Sequence, residues 1–357
     1  SVTRRMHNKS FTVDNQATIL GGRNIGNEYF EADPDLAFAD LDVMGIGPVA
    51  QKVSASFDKY WNSASAYPVS VFRGTPLPAG AVDRLREALE KFVRQHEGSA
   101  YLQALENSSL AQRLRADEVV FYWGEADVIY DLPEKIQHSF DKTEYHLSPQ
   151  LVPYLKGIEE ELVMFSPYFV PGKEGTAFLS DLARRGVRVR ILTNSLASND
   201  VSIVHAGYAK YRKDLLRAGV ELFEMNKKLT SGEQKDKRRL SGSSKASLHA
   251  KSFVFDRRRV FIGSLNFDPR AWVHNTEIGV VFNQATIATT MSQWADRNID
   301  KVAFRLELVD AEKGPEKILW RGWVDGEEKT FDTDPYTGFW QRLGIGFLGL
   351  LPIESQL

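Results

Sequence analysis

The sequence predicts an α/β fold of two similar lobes, each a mostly parallel sheet flanked by helices. Two observations carry this. One four-part phrase occurs twice in register, which marks a duplicated unit. Short apolar runs also alternate with helical patterns, as expected of a sheet with helices on both faces. The first copy of the phrase is His7-Asn8-Lys9, Asp14 and Gly21-Gly22-Arg23-Asn24. The second is His249-Ala250-Lys251, Asp256 and Gly263-Ser264-Leu265-Asn266. In both copies histidine to lysine is two residues, lysine to aspartate five, aspartate to glycine seven, and glycine to asparagine three.

Each copy reads locally as strand, turn and strand. Leu248, Ala250, Ser252 and Val254 alternate with His249, Lys251, Phe253 and Phe255, so the histidine and lysine share one strand face. Asp256 to Arg259 supplies the turn, and Val260 to Ile262 a short apolar strand ended by Gly263. Ser10 to Val13, Asp14 to Gln16 and Ala17 to Leu20 repeat the pattern. Residues 1–117 then hold a strand over Val43–Val49 and helices over Ala50–Trp61 and Ala79–Gln95. The second of these helices carries an apolar stripe of Val82, Leu85, Leu89 and Val93. Residues 96–117 read as helix and linker.

The second lobe spans 118–310. Strands are expected at Glu118–Trp123, Glu161–Ser166, Val187–Thr193, Val220–Met225 and Glu277–Phe282. Helices are expected at Ser148–Ile158, Gly175–Arg185 and Ile203–Ala218. Asn194 and Ser195 fall at the carboxyl end of a buried strand, where open α/β sheets bind ligands. His205 can line the same mouth or pack its helix. Residues 311–357 form a tail.

Two histidines, two lysines and two asparagines suit a phosphodiester. Ammonium and amide groups grip the non-bridging oxygens. One imidazole can attack phosphorus, and the other can protonate the leaving alcohol. The residues themselves leave the two histidines interchangeable. Asp14 and Asp256 sit in turns, where a carboxylate bonds backbone.

The spacing resembles the phospholipase D superfamily, whose signature is H-x-K-x4-D-x6-G-[SG]-x-N. Gly47-Pro48, Phe57-x-x-x-Trp61-Asn62 and Ser166-Pro167-Tyr168-Phe169-Val170-Pro171 resemble its bacterial cardiolipin synthase branch. Leu351 to Leu357 resembles the subgroup called cardiolipin synthase C. That resemblance implies a phosphatidyltransferase making cardiolipin from phosphatidylglycerol and a second phospholipid. His7 would be the nucleophile and His249 the general acid and base. An acid downstream of each copy would orient a histidine: Glu277, and Asp40 with Asp42 as its rival. Tyr168, Phe169, Asn194 and Ser264 are expected to line the substrate site. The alternatives are a phospholipase using water as acceptor and a nuclease of the same superfamily. In the family a long α/β stretch precedes each motif. Only the second copy has one here, so the first lobe is expected to be truncated at its N-terminus.

Length, composition and charge fit a soluble globular protein large enough for two lobes. The chain has 357 residues, 43% hydrophobic, with net charge −2. That balance lacks the basic groove of a nucleic-acid binder, so no nucleic-acid partner is expected. Without cysteine there is no disulfide, thiolate or cysteine-zinc chemistry. No metal or cofactor is expected. A basic stretch, Asn226–Ser244, includes Lys227, Lys228, Lys235, Lys237, Arg238 and Arg239. It reads either as a solvated loop or as a patch attracted to anionic head groups. The apolar stretch Phe339–Pro352 is too short to span a bilayer and suits either a segment lying in its interface or a tail docked on the protein's own core, of which the interface is expected. A peripheral place on a bacterial membrane is expected, with leaflet, protein partner and oligomeric state left open.

Overall fold

The computed structural model describes residues 4–30, 36–72, 74, 77–199, 201–228, 245–310 and 314–349. Residues 1–61 with 124–357 make one compact unit, and 62–123 make another.

The larger unit carries fifteen strands among the described residues. In chain order these begin β1 (Ser10–Val13), β2 (Ala17–Gly21), β3 (Leu36–Ala39), β4 (Asp42–Ile46) and β5 (Glu125–Tyr130). Next come β6 (Glu161–Phe165), β7 (Arg188–Asn194), β8 (Glu221–Met225), β9 (Lys245–Leu248) and β10 (Ser252–Phe255). The last are β11 (Arg259–Gly263), β12 (Ile278–Asn283), β13 (Ala303–Val309), β14 (Lys317–Val324) and β15 (Glu327–Phe331). Ten of them form one sheet in the order β15-β14-β13-β8-β7-β6-β10-β11-β12-β5. A second sheet is β1-β2-β4, and β3 pairs with β9 alone.

The large sheet is mixed. Its centre, β6-β7-β8, is parallel. The motif strands β10 and β11 join antiparallel, as do β12 and β5. The sheet β1-β2-β4 is antiparallel throughout. Connection length explains the split. Parallel neighbours need a crossover, whereas a tight turn returns the chain antiparallel. Both motif turns place their first two residues at positive φ: Asp14 and Asn15 at 50° and 55°, Asp256 and Arg257 at 51° and 53°. That is the hairpin turn whose twist matches the strands.

The helices of this unit are α1 (Pro48–Trp61), then α2 to α5 at Ser148–Lys156, Gly172–Arg184, Ser202–Ala209 and Arg212–Arg217, α6 (Ala285–Val302) and α7 (Phe339–Gly349). α1 starts on a proline, whose fixed φ suits a first turn. It buries Ala50, Val53, Ser56 and Tyr60, one face at helical spacing. α6 buries Ala288, Ser292, Ala295 and Ile299 in the same way. The smaller unit holds helices at Ala81–His96, Ala100–Glu106 and Ser109–Arg115. The apolar stripe expected on the first of these is present and exposed.

Three expected elements differ. Glu118–Trp123 is not a strand, although its residues favour one. The partner strand β12 ends at Asn283, opposite Glu125, and the chain there turns into α6, so 118–123 has no ladder to join. The expected helix Ile203–Ala218 is two, α4 and α5. The break at Lys210-Tyr211 lets Arg212 reach Glu224 at 2.7 Å and Asp334 at 2.9 Å in the interior. His205 belongs to that cluster, 2.6 Å from Arg212, and packs its helix. The expected strand Leu248–Phe255 is interrupted at His249–Lys251, between β9 and β10.

Candidate active site

The two copies are held by the same device used twice, each time across the other copy. The His7 amide donates to the carbonyl of Thr276 at 2.9 Å. The His249 amide donates to the carbonyl of Ala39 at 2.8 Å. The residue after each accepting carbonyl is an acid, Glu277 in one case and Asp40 in the other. Each acid meets the histidine it lies beside. Glu277 Oε2 is 2.8 Å from His7 Nδ1, and Asp40 Oδ2 is 2.7 Å from His249 Nδ1. The carboxylates are therefore exchanged: the one following the second copy serves the first histidine, and the reverse. Asp42, the rival to Asp40, pairs instead with Arg23.

With Nδ1–H given to a carboxylate, the tautomer is fixed and Nε2 carries the lone pair, which at His249 lies 3.3 Å from Lys251 Nζ. The lysines are matched too. Lys9 Nζ donates to the His7 carbonyl at 2.8 Å, and Lys251 Nζ to the His249 carbonyl at 2.7 Å. Lys251 Nζ also lies 3.1 Å from His249 Nδ1. Asn24 donates to the hydroxyl of Tyr29 at 2.8 Å. The Tyr29 and Phe38 rings pack on His249 at 4.9 and 5.2 Å between centroids. Asn266 is buried, and its side-chain oxygen has no hydrogen-bond partner among the described residues.

These groups form one electrostatic cluster. Burial drives Lys251 down to about 7, against the pull of Asp40 and Glu277, while Lys9 lowers it further. Burial lowers Lys9 to about 8, opposed by Glu277 and Asp40. His249 falls to about 4, from burial first and Lys251 second, with Asp40 opposing. The site is thus a desolvated cationic pocket whose positive charge is incomplete until an anion enters. The two halves are unequal. The His7 side chain is 25% exposed and that of His249 8%.

Most of the remaining expected site residues have partners of their own. Asp256 accepts the backbone amides of Glu159, Glu160 and Glu161 at 2.7 to 3.2 Å, tying the motif turn to the start of β6. Asp14 is exposed at the matching turn. Ser264 is buried: its hydroxyl donates to Glu277 and accepts from the Ile278 amide at 3.0 Å. Gly22 replaces it in the first copy because a Cβ there would come within 2.7 Å of Asp40. Asn194 is a brace. Its amide donates to the Leu248 carbonyl and its oxygen accepts from the Leu248 amide, both at 2.9 Å, which uses the side chain as a strand would use backbone. Phe169 is core, packed on Tyr208 and Phe267, and does not line a mouth. Tyr168 is half-buried against Val170 and Val204.

Sequence reasoning passed over Asp131, Lys135, Tyr60, Thr276 and Asn8. Asn8 carried a signal, since it lies inside the first H-x-K. Its side chain accepts from the Thr276 hydroxyl at 2.7 Å and donates to the Glu277 carbonyl at 3.3 Å.

The family described as "Cardiolipin synthase, PLD-like domain" matches residues 151–299. Over 100% of its length the chain is 38% identical to cardiolipin synthase C of Escherichia coli (strain K12), covering 74% of that protein. The chain belongs to the phospholipase D-like cardiolipin synthase family. An uncharacterized protein of Helicobacter pylori (strain J99 / ATCC 700824) is 32% identical over 100% of the chain and 68% of its own length. Among solved structures, phosphatidylserine synthase of Haemophilus influenzae Rd KW20 matches with a TM-score of 0.53 at 17% identity. That match covers 83% of this chain but only 63% of that one, and it bears on the fold alone. Both histidine motifs lie within the length shared with cardiolipin synthase C, so membership of the family rests on the two halves together.

Proposed function

We propose that this cardiolipin synthase-family chain transfers a phosphatidyl group from one phospholipid to phosphatidylglycerol. The observation that carries the reading is the pair of exchanged histidine–carboxylate contacts flanked by buried Lys251 and half-buried Lys9. His7 Nε2 attacks the phosphorus of the donor, and the bond from phosphorus to the head-group oxygen breaks. His249 gives that oxygen its proton. A hydroxyl of phosphatidylglycerol then loses its proton to His249 and attacks the phosphohistidine. The phosphorus–nitrogen bond breaks and His7 returns to its neutral form. Burial and Lys251 lower His249 to about 4, so the anionic phosphodiester would support the protonated ring needed in the first step. Lys9, Lys251, Asn24 and Asn266 would neutralise and orient the phosphoryl oxygens.

The same reading places the protein at the surface of a bacterial membrane. Phe339, Trp340, Leu343 and Phe347 on α7 are exposed, which suits a helix lying in the interface. Among the described residues no helix is long and apolar enough to cross a membrane. Of the basic stretch, Lys227 and Lys228 are described, and Lys228 sits 4.9 Å over the Tyr336 ring. Its remaining basic residues, and the tail beyond Gly349, lie outside the described residues.

The test is product analysis by mass spectrometry on phosphatidylglycerol vesicles, with and without phosphatidylethanolamine, beside a His7→Ala control. Cardiolipin that vanishes in the control is expected. Phosphatidic acid as the sole product would turn the reading to a hydrolase.

A further inference from the structure

We infer that Asp131 is a positioning residue: paired with Lys135, it fixes Glu277 and, through Glu277, the reactive orientation of His7. The inference rests on the proposed phosphoryl-transfer chemistry. It gives that chemistry an element that Asp40 lacks.

Asp131 follows β5, one residue past the Tyr130–Ile278 pair, so it lies beside Glu277. It clamps that residue from both sides. The Asp131 amide donates to the Glu277 carbonyl at 3.0 Å. The Glu277 amide donates to Asp131 Oδ2 at 2.7 Å. The other carboxylate oxygen accepts the Leu147 amide at 2.6 Å and meets Lys135 Nζ at 2.9 Å. Lys135 also donates to the Ala271 carbonyl at 3.2 Å, and Tyr60 donates its hydroxyl to the Asp131 carbonyl. Asp131 and Lys135 are both buried. Asp40 has a plainer seat: its Oδ1 accepts the amide of its neighbour Leu41 at 2.8 Å.

The clamp works only while Asp131 is ionised. A carboxylate accepts all three donors aimed at it; a carboxylic acid must donate one hydrogen and leaves a donor unpaired. Burial pushes Asp131 up to about 6, against the pull of Lys135. The charged or titratable groups facing it are Lys135, Glu277 and Tyr60. Those facing Lys135 are Asp131, Glu277 and His146. Losing Lys135 leaves the Asp131 charge buried without its counter-ion, so Asp131 would hold its proton to higher pH. Glu277 would then lose its fixed backbone position, and His7 the acceptor that selects its tautomer.

The test uses the full chain with Asp131→Asn, Lys135→Met and the double variant Asp131→Asn/Lys135→Met. Turnover is followed by cardiolipin formation on phosphatidylglycerol vesicles and by cleavage of bis(4-nitrophenyl) phosphate. The pH profile, thermal melting and the 15N shift of the Glu277 amide are measured alongside. Asp131→Asn is expected to lower kcat on the order of 10- to 100-fold with KM little changed. Lys135→Met should move the acidic limb of kcat/KM to higher pH. The double variant has no unpaired buried charge, so it should melt above Asp131→Asn alone, below the parent by the cost of one unpaired amide, and keep the low kcat. In the unaltered chain the Glu277 backbone amide, which donates to Asp131 Oδ2, should report the Asp131 titration near pH 6, which requires no variant. Full kcat in the folded double variant, or a Glu277 amide shift blind to the Asp131 titration, would overturn the inference. Diester cleavage without cardiolipin in the unaltered chain would sink the lipid reading while leaving this test intact.

Discussion

The hairpins β1–β2 and β10–β11 have the same length, turn and register, yet live in opposite surroundings. Ser10 to Val13 pairs with Leu20 to Ala17 as Ser252 to Phe255 pairs with Ile262 to Arg259. Phe253 and Phe261 are both 0% exposed, whereas their counterparts Phe11 and Ile19 are 67% and 44% exposed. The cause is the neighbour. β10 lies between β6 and β11 in the large sheet, while β1 is an edge of its small sheet among the described residues. Local sequence therefore sets the hairpin and delivers histidine and lysine to one site. Whether that hairpin also carries the core is decided by what lies beside it. The first copy brings its histidine and lysine to the site on a little-buried hairpin; the second brings its own on a hairpin that is also core.

The largest expected effect concerns the exchange of carboxylates. Glu277→Gln and Asp40→Asn should each lower kcat by about 10²- to 10⁴-fold, since an amide cannot hold the reactive tautomer. The exchange predicts which ring responds. Glu277→Gln should alter the 15N shifts of His7 and leave those of His249 in place, and Asp40→Asn the reverse. The opposite assignment would break the crossed arrangement.

The exchange was not legible in the sequence, although its members were. Register between the copies singled out His7, Lys9, His249 and Lys251, and the family resemblance pointed to Glu277 and to Asp40, with Asp42 as its rival. Which acid meets which histidine depends on contacts between segments more than 200 residues apart in the chain, such as Thr276 beside His7. Asn194 misled because its position at a strand end is also where a polar side chain can replace a ladder hydrogen bond. Phe169 misled because an aromatic residue near a motif serves a core as readily as a mouth. Asp131 and Lys135 gave no signal: a lone acid four residues before a lysine is the pattern of countless surfaces. Glu118–Trp123 was misread because strand preference says nothing about whether a partner edge exists.

Core substitutions probe the comparison most directly. Phe253→Ala should cost about 3–5 kcal/mol in chemical denaturation, since its ring stacks on Phe261 at 5.0 Å in the interior. Phe11→Ala, at the matching position, should cost about 0.5 kcal/mol or less. Equal losses would mean that the first hairpin is as well supported as the second. The turn aspartates should divide the same way by a smaller margin. Asp256→Ala removes an acceptor from three amides and should cost roughly 2–3 kcal/mol. Asp14→Ala removes no described hydrogen bond, so its effect should stay near that of an exposed turn residue.

The smallest effect separates the two lysines by pH. Lys251 titrates near 7 in the folded chain and at 10.5 when unperturbed, and Lys9 near 8 against the same reference. Between each pair of values the unfolded chain holds more protons than the folded one, so stability rises with pH across that window. Below the lower value both states are charged, and the cost of burying the cation is fully present. Lys251→Met removes that cost. It should therefore raise stability at pH 7, by about 1 kcal/mol, and the advantage should shrink steadily towards pH 10.5. Lys9→Met should begin to lose its advantage about one pH unit later, from 8, because Lys9 is the less deeply buried of the two. Melting curves at half-unit pH steps would resolve the difference. Coincident profiles would mean that the two lysines share one environment, and that the inequality between the halves stops short of the catalytic cations.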